Sequence, residues 1–166
     1  MAYDKDRINQ KVSTIALDVK KHLAELDLDF LFAYQIFPRH ILTFKAQWEA
    51  EKRLMLVGDT IVQQAYLPPL RSMSLKIVFG VRVNRIIDAP TKKGFSYETL
   101  EGHAEKGESA FTVEEVDEKL LFKIETYSTG GNILARLGGP FLTRPYQAFC
   151  TTQALQNVKR QIEGQS

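Results

Sequence analysis

The densest run of chemically able side chains is Tyr97-Glu98-Thr99-Leu100-Glu101-Gly102-His103-Ala104-Glu105-Lys106-Gly107-Glu108. A carboxylate beside an imidazole raises its pKa and fixes its ring, as a general acid or base requires. His103, assisted by Glu105 or Glu108, is therefore the candidate catalytic set. The same stretch also fits a solvated connection between strands, whose acids keep a sheet edge from pairing with another chain. No nucleophile motif accompanies it. The other two histidines are His22, beside Lys20-Lys21, and His40, after Pro38-Arg39. Histidines this scattered have no metal-ligand spacing, so no metal is expected. Gly130-Gly131 and Gly138-Gly139 match neither phosphate-binding glycine pattern and read as helix caps, so no cofactor is expected.

Binding chemistry has other candidates. Gln63 and Gln64 interrupt an apolar stretch, and strict alternation forces one of them inward. A buried amide needs partners, so it either bonds the framework or lines a cavity. Gln64 is included in the expected ligand set with Tyr97, His103, Tyr127 and Arg82. Arg82 lies on the polar side of a central strand, where it is either solvated or pairs with an anion such as Glu125. Cys150 falls on an apolar helical stripe and reads as packing.

These residues need elements to position them. Ile8, Val12, Ile15, Val19, Leu23 and Leu26 recur at helical spacing, predicting an amphipathic N-terminal helix within residues 1–29, capped by Asp4 or Asp6. Phe30–Phe37 is apolar and aromatic, and fits a buried strand or a short helix. Beyond Pro38 the period changes to two. Ile41–Trp48 and Leu54–Leu67 read as strands, separated by a polar turn at Glu49–Arg53. Ser74–Ile87 is the clearest strand, its Leu75, Ile77, Phe79, Val81 and Val83 alternating with mostly polar residues. Phe95–Leu100 follows, then a hairpin of Ser109–Val116 and Leu120–Tyr127. Asn132 caps a short helix through Leu137, closed by Gly138-Gly139-Pro140. Thr143 then caps a long C-terminal helix bearing Tyr146, Phe149, Cys150, Ala154, Val158 and Ile162 on one stripe.

The connections are too short for parallel crossovers, so the five or six strands are antiparallel. An antiparallel sheet has one face to bury, and a helix laid across it does so. The expected architecture is α+β: a curved antiparallel β-sheet wrapped around a long C-terminal helix, with an extra N-terminal amphipathic helix. A space between sheet and helix would be rimmed by Tyr97, His103, Glu105 and Tyr127.

The chain has 166 residues, and its mass of 18.9 kDa fits a single domain, 1–166. Lys+Arg 22 against Asp+Glu 20 leaves a net +2, too little to make nucleic acid or an anionic membrane the default partner. The bases cluster in 71–93 and the acids in 98–118, which cross-strand pairing between neighbours accounts for. No stretch approaches a membrane span. Met1–Arg7 mixes acids with bases and no apolar run follows, unlike a signal peptide. The lone Cys150 leaves no internal disulfide, so a cytoplasmic location is expected.

Three stretches together resemble a known family. They are Val57-Gly58-Asp59-Thr60-Ile61-Val62-Gln63-Gln64 with Pro68-Pro69; Gly94-Phe95-Ser96-Tyr97 through His103 to Phe111-Thr112-Val113; and Ala135-Arg136-Leu137 with Gly139-Pro140. They are similar to DUF1990 (UPF0548), a domain of unknown function, over about residues 30–163. The family pattern maps onto Tyr97, Gly102, His103, Glu105, Gly107, Glu108, Arg136 and Pro140. Many relatives carry proline where this chain has Glu101, which sets that acid apart from the others. The resemblance implies a helix-grip-like fold and no established activity.

Three functions fit the sequence. The first is a domain holding a small apolar or amphipathic molecule between sheet and helix. The second is an enzyme using His103. The third is a structural module that forms a homo-oligomer through a sheet edge or the Phe30–Phe37 patch.

Overall fold

The computed structural model describes residues 8–67, 75–100, 106–129 and 133–165, with the helical stretch 133–144 described by its backbone. Seven strands form one sheet: β1 (Ile8–Leu17), β2 (Leu42–Ala46), β3 (Thr60–Leu67), β4 (Leu75–Ala89), β5 (Lys92–Thr99), β6 (Lys106–Val116) and β7 (Lys119–Thr129). Their order is β1-β7-β6-β5-β4-β3-β2 and every pairing is antiparallel. Short helices α1 (Asp29–Phe32) and α2 (Gln47–Glu51) flank β2, and α3 (Ile133–Glu163) is the long C-terminal helix. This is the expected helix-grip-like α+β architecture.

The N-terminal helix is a correction. Residues 8–17 are strand β1, paired with β7 from Ile8↔Thr129 to Leu17↔Leu120. The β7 edge is long, and an unpaired edge demands a partner. The Ile, Val and Thr residues of the segment favour a pleated surface. As a strand it sends Ile15 and Leu17 toward the core and leaves Val12 exposed, so the helical spacing was accidental. The expected caps Asp4 and Asp6 lie outside the described residues. A 3-10 turn at Leu23–Glu25 follows, and Glu115 on β6 holds it by accepting from the Leu23 N–H at 2.8 Å.

Other boundaries move as well. Strand β3 starts only at Thr60, because Asp59 ties the preceding loop. Its carboxylate accepts from both Arg53 guanidinium nitrogens, at 2.6 and 2.8 Å, and from the Leu56 N–H at 2.8 Å. The Glu49–Arg53 stretch begins inside α2. Helix α3 runs unbroken through Gly138-Gly139-Pro140, where two helices were expected.

The Phe30–Phe37 segment forms α1 and the turn after it. Leu31, Tyr34 and Ile36 are fully buried there. Tyr34 takes the left-handed conformation, φ 61, which swings its ring into the sheet. It meets Phe37, Phe44, Phe95, Tyr97 and Phe111 with centroids 5.0–6.3 Å away. Edge-to-face pairs of this kind add to plain burial, and offset the roughly 1–2 kcal/mol cost of that backbone.

Along α3, Ala154, Val158 and Ile162 are fully buried at steps of four, where the helix rests on β1 and β7. Phe149 is 40% exposed, off the expected stripe. Asn157 Nδ2 donates to the Ile36 carbonyl at 2.9 Å and Gln161 Nε2 to the Gln35 carbonyl at 2.8 Å. Helix and aromatic segment are thereby joined.

Two measurements test this framework. A Cβ at Gly94 would sit 2.0 Å from the Phe111 carbonyl oxygen of the neighbouring strand. Gly94→Ala should therefore lower unfolding free energy by about 3 kcal/mol in denaturant melts, and a loss well under that would deny the β5–β6 contact. The Arg53 guanidinium holds the Asp59 carboxyl below its ordinary value of 3.8. Its stabilisation is complete above that value and lost as pH falls through the folded value. Asp59→Asn should flatten this acid limb of the stability curve, and an unchanged limb would contradict the pairing.

Candidate functional site

Antiparallel partners share a face, so the register sorts every candidate side chain. The concave face, turned toward α3, carries Ile61 and Gln63 of β3, Phe79, Val81 and Val83 of β4, Phe95 and Tyr97 of β5, Ser109, Phe111 and Val113 of β6, and Phe122, Ile124 and Thr126 of β7. The opposite, convex face carries a polar row across five strands. It runs Gln10, Tyr127, Glu108, Glu98, Arg82, each the register partner of the next.

The expected site residues divide accordingly. Tyr97 is concave. Gln64, Arg82, Tyr127 and Glu108 are convex, on the other side of the sheet from it. His103 and Glu105 fall between β5 and β6, outside the described residues. Gln64 Nε2 donates to the Tyr66 hydroxyl at 2.9 Å, and Arg82 is exposed. Tyr127 donates to Glu125 Oε1 at 2.7 Å, and Arg85 lies 3.5 Å from Glu108. Of the glutamine pair, the inward member is Gln63.

Convex-face charges answer one another. Glu114 Oε1 sits 2.9 Å from both Lys92 and Lys123. Burial pushes its carboxyl up, but Lys123, Lys92 and the Thr112 hydroxyl outweigh that and hold it below 4.5. Glu125 is held low by the Tyr127 hydroxyl, with help from Gln10 and Lys123. Two pairs, Arg85–Glu108 and Lys92–Glu114, join the basic and acidic stretches of the sequence across strands.

The concave face is different. Polar groups gather at its centre among aromatic rings. Tyr34 donates to the Tyr97 hydroxyl at 3.5 Å, and the side chains of Gln63 and Ser109 also lie against that hydroxyl. Ser109 Oγ is 3.3 Å from Thr126 Oγ1. Burial raises the Tyr34 phenol well above its ordinary 10.0, and Tyr97 adds to the shift. Burial likewise raises Tyr97, partly offset by Tyr34, Gln63 and Ser109. Both phenols are therefore neutral donors. Gln63 is 1% exposed, and its Nε2 has no hydrogen-bond partner among the described residues.

Burial along this face is uneven. Toward the β6–β7 turn, Val113 and Phe122 are completely buried. Toward β2, β3 and β4 the inward-facing Phe44 and Phe79 remain half-buried, as does Tyr97, while Ile61, Gln63, Val81 and Val83 beside them are completely buried. Helix α3 crosses to this end, where the Tyr146 hydroxyl donates to the Tyr66 carbonyl. Cys150, one turn on, is half-buried, and desolvation raises its thiol pKa. Burial also raises the Tyr146 phenol. Among the described residues, sheet and helix thus enclose uncharged hydrogen-bonding groups set beside half-buried aromatic rings. Among the described residues no group of three or more His, Cys, Asp or Glu converges as a metal site would require, and no helix is long and apolar enough to cross a membrane.

Two parts of this centre were hidden in the sequence. Tyr34 lay in a segment whose conformation was open. Ser109 and Thr126 carry no motif, and only the register through Tyr97 brings them together.

Solved structures share the fold at low identity. Ginseng major latex-like protein 151 from Panax ginseng matches with a TM-score of 0.61 at 10% identity, covering 93% of this chain and 97% of that one. Hypothetical protein jhp0584 from Helicobacter pylori matches at 0.58 and 9%, covering 95% and 88%. The di-domain ARO/CYC StfQ from the steffimycin biosynthetic pathway matches at 0.62 and 10%, covering 96% of this chain and 52% of that one. No curated protein matches the chain in sequence. The profile described as a domain of unknown function, DUF1990, matches residues 25–157, most of the chain and all of the concave centre from Tyr34 to Thr126, and the protein belongs to that family.

Proposed function

We propose that this protein binds a small, partly apolar molecule between the concave face of its sheet and the Tyr146–Cys150 portion of α3. The observation that carries the reading is the uneven burial of that face. Each half-buried aromatic forfeits burial worth roughly 25 cal/mol per Å², which a ligand seated against it would recover. Here Phe44, Phe79 and Tyr97 keep part of their surface open while Val113 and Phe122 keep none. An aromatic lining with a few convergent polar groups is the composition of a small-molecule site. Tyr97, Ser109 and Thr126 form its polar wall.

The convex face supports no rival of equal weight. Arg85, Lys92 and Lys123 pair across strands with Glu108 and Glu114, which weakens the field that would draw a polyanion.

Titration with Nile red, a neutral apolar dye, checks the reading. Saturable fluorescence enhancement with one dye per chain is expected. Ser109→Phe, which fills the space beside Tyr97, should weaken binding about tenfold or more while far-ultraviolet circular dichroism stays unchanged. Thr126→Leu offers a milder filling of the same wall and should act in the same direction. Absence of saturable binding, or equal binding by both variants, would overturn the proposal.

A further inference from the structure

The buried Gln63 amide narrows the class of ligand. Protein interiors leave few polar atoms unpaired, and an orphaned donor costs the full desolvation of its N–H groups. Gln63 carries this burden on a central strand: it is 1% exposed and its Nε2 lacks a partner among the described residues. Apolar neighbours share its face, Ile61 two residues before it on β3 and Phe79 opposite it on β4. A leucine would suit such surroundings better. An amide there is understandable if something other than the framework completes it.

Geometry fixes what that something must offer. The Gln63 amide reaches the Tyr97 hydroxyl oxygen without completing a well-aligned hydrogen bond to it, and that oxygen already accepts from Tyr34 at 3.5 Å. An N–H and an O–H thus converge on the half-buried side of the concave face. Two neutral donors side by side complement one acceptor-only oxygen. The groups bordering them, Tyr34, Phe79 and Ser109, carry no formal charge. No cation among these neighbours would compensate a buried carboxylate, which is costly to desolvate unpaired.

We infer that the ligand is an uncharged, largely apolar molecule bearing a carbonyl-type oxygen, which docks on Gln63 Nε2 and the Tyr97 hydroxyl. This rests on the binding reading above and deepens it. Gln63 is the specificity-determining residue: it discriminates the oxygenated molecule from its hydrocarbon counterpart. A site built to hydrogen-bond a ligand oxygen rejects the analogue lacking it, because its own donors are then left unpaired.

The test uses three probes of one shape: acetylnaphthalene, ethylnaphthalene and naphthoate. Each displaces Nile red from the full-length protein or is titrated by calorimetry. In the wild type, acetylnaphthalene should bind about tenfold more tightly than ethylnaphthalene, as one net hydrogen bond provides, and naphthoate should bind more weakly than the ketone. In Gln63→Leu the preference should disappear or invert. That variant should melt at the same temperature as wild type or higher without ligand, since it removes an unpaired amide. An infrared carbonyl stretch shifted to lower frequency in the wild type, and not in Gln63→Leu, would place the oxygen at the amide. Equal binding of ketone and hydrocarbon, an undiminished preference in Gln63→Leu, or tighter binding of naphthoate would each overturn this inference and leave the apolar site standing. Failure of all three probes and of Nile red would overturn both.

Discussion

Tyr34 is the joint on which the molecule depends. Its left-handed backbone turns the chain after α1 back on itself and drives a full phenol into the sheet. Five aromatic rings from the same turn, β2, β5 and β6 close around it. The carbonyls of the next two residues receive Asn157 and Gln161 of α3. One short segment thus fixes how sheet and helix face each other. Its hydroxyl also meets Tyr97, so the same contact orients the polar centre.

Two kinds of stabilisation are kept apart by the sheet. On the convex side, lysines and carboxylates pair across strands while partly buried, where each pair contributes a few tenths of a kcal/mol up to about 1 kcal/mol. The concave side relies on apolar burial, which is far larger per residue. Polar groups are admitted there only as a small uncharged cluster. Their low-dielectric setting makes a completed hydrogen bond strong and an incomplete one expensive. The close approach of α3 follows from its Ala154-Val158-Ile162 stripe, whose fully buried side chains rest toward β1 and β7.

Much of the candidate site could not be read from residue order. Tyr97 was legible because Phe95 and Tyr97 must share a side of any strand. The glutamine pair was legible as a pair, and only the choice between its members waited on register. Tyr127 reads as a rim residue and Arg82 as a member of the ligand set, yet both belong to the convex row, since a one-residue step along a strand reverses the face. The link from Ser109 to Tyr97 and Thr126 joins three strands and has no local signature.

Alternation alone determined the long strands of the middle of the chain, because β4, β6 and β7 bury one face and wet the other, and a period of two records that asymmetry directly. Local sequence also determined the C-terminal helix, through Ala154, Val158 and Ile162 at steps of four. Tertiary structure decided what pairing partners decide. Residues 8–17 could satisfy a helix or a strand, and the open edge of β7 made them a strand. Residues 133–163 contain glycines and prolines that locally argue for a break, and yet they run as a single helix. Which glutamine faces inward was settled by hydrogen-bond register across strands distant in sequence, and short-range propensity carries no record of such a pairing.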